Sequence, residues 1–366
     1  MTDMIDKETE KAVKICIVYS IPFALYILPE SDEAVFFADL PDSDETASLE
    51  ISPDEFDRFD GFVIGMFELS DQFRPIGIRR RMTAAEVISH YKEFPKQPNS
   101  INFSYIKSTD KVVYKSQIHT LLKSFSGPYE KTVLSRIASI ESTDDPLKVA
   151  RSYFKDQRNC FRYLYYTFDT GLWFGASPEM LLNYQSSTRQ AVSMSVAGTR
   201  EISDKPWDEK NMTEHQIVTD FIADALGRNS SGKVSVTEST ATFGNLEHLC
   251  HKVSARLSTP ISKLLPQLYP TPALLGWPRQ KAYLQILSLE NHQRNCYGGF
   301  VGLASEGNFL LYVNIRCAFV SYNAFVSVYD VYGGGGITRQ SKAEDEWQEA
   351  ENKMKPLLKC ISGLHV

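Results

Sequence analysis

Apolar and polar positions change period along this chain. Ala24 to Leu28, Ala34 to Ala38 and Gly61 to Phe67 are short apolar runs separated by Pro, Asp and Ser clusters, and they predict β-strands. The run Val13 to Leu28 has the length of a signal-peptide core. It follows an acidic start, is broken by Lys14 and Pro22 and lacks a small-residue cleavage site, so a strand pair is expected there. Thr83 to Glu93 and Ile118 to Ser124 have helical spacing, ended by Gly127-Pro128. Lys131 to Arg136 alternates as a strand, Phe161 to Phe168 with Leu172 to Gly175 predicts a hairpin, and Ser193 to Arg200 predicts a strand ending in the small-residue turn Ala197 to Arg200. Asp208 to Gly227 is helical, with Ile217, Val218, Phe221, Ile222 and Ala225 on one face. A proline-rich irregular segment, Tyr269 to Pro278, precedes a helix over Ala282 to Leu289 and strands over Phe300 to Leu303, Phe309 to Phe319 and Phe325 to Tyr332. Finally a glycine run leads into a helix. Ser341 and Glu344 fit a capping box that starts it near Lys342; Glu346, Glu349 and Lys353 share one stripe, beside an apolar stripe of Trp347, Ala350, Met354, Leu357 and Leu358.

Composition narrows the class. The 366 residues, 43% of them hydrophobic, can bury a large core. The net charge of -6 is dispersed and no basic, aromatic-interleaved patch offers a nucleic-acid surface. Six scattered cysteines without a C-x-x-C imply reduced thiols and a cytoplasmic location, with no membrane association. His248, Cys250 and His251 lack a second ligand pair at zinc-finger spacing.

Several charged residues stand on apolar faces. Lys131 shares a strand face with Val133 and Ser135, where a desolvated lysine serves as a general base or, more commonly, as an edge-strand gatekeeper. Glu179 lies in a turn between apolar runs and either caps that turn or, with a raised pKa, donates a proton. Glu214 projects from the apolar face of its helix, and with Glu349 it suits magnesium, which takes few protein ligands; a buried salt bridge is the equal alternative. Arg316 needs an anion, either a substrate carboxylate or a core acid. The glycine run is expected to allow positive φ and to bring bare backbone N–H groups against a small anion; a mobile loop is the plainer reading.

Taken together, GASPEMLL (175 to 182), VAGTR (196 to 200), TEHQIVTD (213 to 220), YPTPALLGWPRQKA (269 to 282), YGGFVG (297 to 302), NIRCA (314 to 318) and the glycine run with EWQEAENK resemble the chorismate-utilising enzymes, in one consistent order from Ile118 to Leu358. The resemblance implies an α+β fold: a single large domain of face-to-face packed antiparallel sheets with outer helices, the active site in a cleft between the halves. Residues 1–106 would be a variable, sheet-rich part of that fold and 107–366 the chorismate-binding core. Glu214 and Glu349 match the family's Mg²⁺ ligands, and Glu346 an outer carboxylate acting through water. Gly198, Thr199, His248, Ala273, Leu274, Tyr297, Arg316, Gly334 and Lys353 match substrate-binding positions. Lys131 matches the lysine that activates water and Glu179 the acid that protonates the departing hydroxyl, whereas Ala197 stands where aminodeoxychorismate synthases carry a lysine nucleophile. Asn211 and Gln216 depart from carboxylates seen in some relatives.

The resemblance therefore implies a Mg²⁺-dependent isochorismate synthase, converting chorismate to isochorismate by water attack at C2 with loss of the C4 hydroxyl, for menaquinone more than siderophore synthesis. Alternatives are a salicylate synthase, an anthranilate-type aminase and a non-catalytic chorismate-binding paralogue. A monomer or homodimer is expected, without an obligatory amidotransferase subunit.

Overall fold

The computed structural model describes residues 4–40, 49–70, 73–91, 108–127, 130–201, 206–207, 209–243, 246–322 and 326–363, the side chains of 197–201, 210, 240–243 and 246–248 excepted. In chain order the elements are α1 (Lys7–Tyr19), β1 (Phe23–Ile27), β2 (Ala34–Ala38), α2 (Pro53–Phe56), β3 (Gly61–Gly65), β4 (Ile76–Arg79), α3 (Ala84–His90) and α4 (Lys111–Ser124). Next come β5 (Lys131–Ser142), α5 (Pro146–Phe154), β6 (Phe161–Thr167), β7 (Gly171–Ser177), β8 (Met180–Gln185), β9 (Gln190–Glu201), α6 (Glu209–Arg228), β10 (Ser235–Phe243) and β11 (Leu246–Arg256). The rest are α7 (Ile261–Leu268), β12 (Gly276–Trp277), α8 (Arg279–Leu289), β13 (Phe300–Ser305), β14 (Asn308–Val313), β15 (Cys317–Tyr322), β16 (Ser327–Ile337) and α9 (Ala343–Ser362).

The strands form two eight-stranded antiparallel sheets, ordered β12-β5-β16-β15-β7-β6-β1-β2 and β10-β11-β9-β8-β14-β13-β3-β4. One apolar core lies between them. Phe161, Tyr163, Tyr165 and Trp173 of the first sheet meet Phe62, Phe300 and Leu311 of the second, with Phe161 stacked 4.7 Å from Tyr312. The alternate residues of β6, Leu164 and Tyr166, face a second core shared with α1, α5 and α9. Burial on both faces explains why β6 and β7 read as continuous apolar runs. This is the expected α+β arrangement. The first strands enter both sheets, β1 and β2 in one and β3 and β4 in the other.

Five expectations change. The turn expected over Ala197 to Arg200 is instead strand, continuing β9 to Glu201 with Arg200 opposite Glu247 of β11. The run from Val13 is not a strand pair, since Asp6 caps α1 by accepting from the Thr9 N–H at 2.7 Å and Val13, Cys16 and Ile17 are buried at helical spacing. Only Phe23–Ile27 is a strand. The segment Phe309 to Phe319 breaks into β14 and β15, in different sheets, with Arg316 in the left-handed region at φ 53° between them. The glycine run is neither a loop nor a positive-φ nest. Gly333 to Gly336 continue β16 and pair with Arg136 to Val133 of β5. The capping box at α9 is absent: Lys342 is the N-cap, the Ser341 hydroxyl accepts from Thr338 N–H at 3.0 Å, and Glu344 pairs with Lys115 at 2.9 Å and with Lys111.

Candidate active site

Two of the links that carry the chain from sheet to sheet, Pro178–Glu179 between β7 and β8 and Asn314–Arg316 between β14 and β15, open on one cavity of about 220 Å³. Its other walls come from β5, β16, α6, α9 and the segment before β12. Lys131, Glu179, Glu214, Ala273, Leu274, Tyr297, Arg316, Gly334, Glu349 and Lys353 all line it. Glu346 is buried just behind, against Gly335. Gly198 and Thr199 fall in β9 and His248 in β11, at positions whose side-chain placement lies outside the described residues.

The crossover holds Glu179 by its backbone, its carbonyl accepting from Val313 N–H at 2.9 Å while the Ser177 hydroxyl donates to Val313 O at 2.6 Å. The side chain is 5% exposed, and burial pushes its pKa up to about 8 against the opposing pull of the Lys131 and Lys353 charges. At neutral pH it is a protonated acid.

Lys131 opens β5, and its Nζ lies 3.3 Å from Glu214 Oε2 on α6. The face that looked apolar in sequence therefore includes a carboxylate from another element. On α9, Lys353 Nζ donates to Glu349 Oε1 at 2.6 Å and to Gly334 O at 2.9 Å, and Arg316 Nη1 donates to Lys353 O at 3.4 Å. Arg316, the pairs Lys131–Glu214 and Lys353–Glu349, and a protonated acid thus border a cavity sized for a small polar molecule.

The glycines of β16 make the room. A Cβ on Gly336 would stand 2.9 Å from Glu214 Oε2, and one on Gly335 would stand 3.0 Å from Glu346 Oε2 and 3.4 Å from Glu349 Oε1. Among the described residues no three His, Cys, Asp or Glu side chains already converge as a metal site. The carboxylates of Glu214, Glu346 and Glu349 offer oxygen donors only, a chemistry that fits magnesium better than zinc or iron.

Sequence reasoning did not single out Pro178, Ile315 or Tyr332, which also line the cavity. Tyr332 stacks between Trp173 and Tyr297, at 5.5 and 5.1 Å. Its place directly before the glycine run was the available signal.

Residues 69–359 match the family model of chorismate binding enzymes. The isochorismate synthase DhbC of Bacillus subtilis is 32% identical over 211 residues, 52% of this chain and 51% of that one. Anthranilate synthase component 1 of Neisseria meningitidis is 28% identical over 253 residues, 64% of this chain and 50% of the relative. These matches span about half the length of either relative. The solved structure of MenF, the menaquinone-specific isochorismate synthase of Escherichia coli, superposes with a TM-score of 0.72 at 19% identity, over 95% of this chain and 91% of that one, a likeness of fold.

Proposed function

Because the chain belongs to the chorismate binding enzyme family, we propose that it is a magnesium-dependent isochorismate synthase. The observation that carries the reading is Lys131 and Glu179 as base and acid on one cavity, with Glu179 still protonated at neutral pH. Water attack needs both: Lys131, as the free amine in the reactive form, takes the water proton as the C2–O bond forms, and Glu179 gives its proton to the C4 oxygen as that bond breaks. The ring double bond shifts between, so atoms and charge balance. Arg316, from the β14–β15 link, and Lys353, from α9, both line the cavity and would orient the substrate carboxylates. Glu214 and Glu349, with Glu346 through water, would hold magnesium, which supplies charge neutralisation at the ring carboxylate when bound.

Incubation of the protein with chorismate and Mg²⁺, followed by chromatography, tests the proposal. Isochorismate is expected, and none after chelation. Salicylate with pyruvate would make it a salicylate synthase, ammonium-dependent anthranilate an aminase, and no product a chorismate-binding paralogue. Use of the product for menaquinone is part of the same proposal. Growth of a menaquinone-requiring strain that lacks isochorismate synthase, once supplied with this chain, tests it.

A further inference from the structure

The outer edge of β5 loses its neighbour early. Strand β12 pairs only with Thr132 and Lys131, and one further bond, Val133 N–H to Leu275 O at 3.1 Å, follows. Beyond that a side-chain pair takes the place of a strand. Glu290, just past the end of α8, accepts through Oε1 from Ser135 N–H at 2.6 Å and from its hydroxyl at 2.9 Å. Arg294 Nη2 donates to Val133 O at 2.7 Å, and Nη1 donates to Leu274 O at 2.8 Å. The two side chains join each other through Arg294 Nε to Glu290 Oε2 at 2.9 Å, and both are 2% exposed. Phe67 covers the guanidinium face, with 4.4 Å from the charge centre to the ring centroid.

Burying such a pair is a poor way to gain stability, because apolar residues of equal volume commonly do as well. Its directional bonds are what apolar residues cannot supply. The two carbonyls that Arg294 bridges belong to Val133 and Leu274, which both line the reaction cavity from adjacent segments, and Lys131 is two residues from Val133. Ser135, held by Glu290, pairs with Gly334, whose carbonyl receives Lys353. One fixed fork thus sets the spacing between the Lys131 strand, the Leu274 wall and the glycine strand under Lys353.

We infer that Glu290 and Arg294 form a positioning strut for the reaction, acting through Lys131 and the Leu274 wall without touching substrate. The inference rests on the function proposed above. Arg294→Lys keeps the charge but cannot span both carbonyls and the carboxylate in one plane. Its kcat per folded molecule with chorismate is expected to fall about 10- to 100-fold, the cost of a misplacement of about 1 Å, while KM changes little and the melting temperature falls because buried acceptors lose their donor. Methylguanidinium added to Arg294→Ala should restore part of kcat. Hydrogen exchange over residues 131–137 should quicken in both variants and elsewhere remain as in the wild type. Wild-type kcat per folded molecule in Arg294→Lys would overturn the strut. Should the wild type form no isochorismate, the proposed function fails, and exchange alone decides: unchanged protection of 131–137 refutes the strut, and selective loss supports it.

Discussion

The Nζ of Lys131 and the Oε2 of Glu214 lie 3.3 Å apart, joining the first residue of β5 to α6 across the cavity. The contact places the proposed base beside a proposed metal ligand, so that a cation held by Glu214 would lie next to the lysine. Lys131→Ala should lower the rate of isochorismate formation by about 10²- to 10⁴-fold, the usual range for a lost general base. Chorismate binding, followed by titration calorimetry, should weaken far less. A variant that keeps wild-type turnover would remove Lys131 from the chemistry.

Glu179 links activity and stability to pH in the same direction. Its carboxyl pKa is raised from 4.5 to about 8, so the native state binds a proton that the unfolded chain releases. This contribution to stability is complete below the unfolded value and disappears as pH rises through about 8. Urea midpoints should fall as pH rises from about 4.5 to about 8 in the wild type and level off above, and Glu179→Gln should flatten that fall while abolishing turnover. Wild-type kcat/KM should decline on the alkaline side with the same ionisation. An identical stability slope in the two proteins would refute the assignment.

Adjacent glycines of β16 should respond differently to alanine. At Gly336 the added Cβ would meet Lys131 Cε at 2.5 Å and Glu214 Oε2 at 2.9 Å, both ends of flexible side chains. At Gly334 it would meet the Leu134 carbonyl oxygen at 2.2 Å, which is backbone. Gly336→Ala should therefore fold and lose about 10²-fold in turnover through displaced Lys131, whereas Gly334→Ala should melt at markedly lower temperature. Thermal scans beside product assays separate the two, and equal melting losses would contradict the distinction.

Helix α7 begins at Pro260 with no side-chain cap of its own. Asp57, from the turn after α2, fills that role: Oδ1 accepts from Ile261 N–H at 2.7 Å and Ser262 N–H at 3.1 Å, and Oδ2 from the Ser262 hydroxyl at 2.5 Å. Asp57→Ala should cost about 1–2 kcal/mol in urea unfolding, as the loss of an N-cap does, with kcat unchanged. A loss no larger than that of a neutral surface substitution would show the cap to be idle.

Where local periodicity governs, the sequence was legible. Helix α6 spans Glu209–Arg228 against an expected Asp208 to Gly227, and β6 pairs antiparallel with β7 as the hairpin pattern required. Lys131, Glu179, Glu214 and Arg316 were nameable as charges in apolar or small-residue contexts, and Glu349 and Lys353 as one helical stripe beside an apolar one. The glycine run misled because glycine permits positive φ but also permits close approach. In β16 it serves the second purpose, which depends on what packs above the strand.

The sequence by itself determined the alternation of strands and helices, the family resemblance and the charges that needed partners. Only the tertiary structure decided who the partners are. Lys131 with Glu214, Glu290 with Ser135, and Asp57 with α7 join residues distant in sequence. The break at Arg316 is of the same kind: an apolar run from Phe309 to Phe319 suits one long strand or two in facing sheets equally well. Periodicity fixes which face a side chain occupies; the packing of two sheets around one core fixes what that face meets.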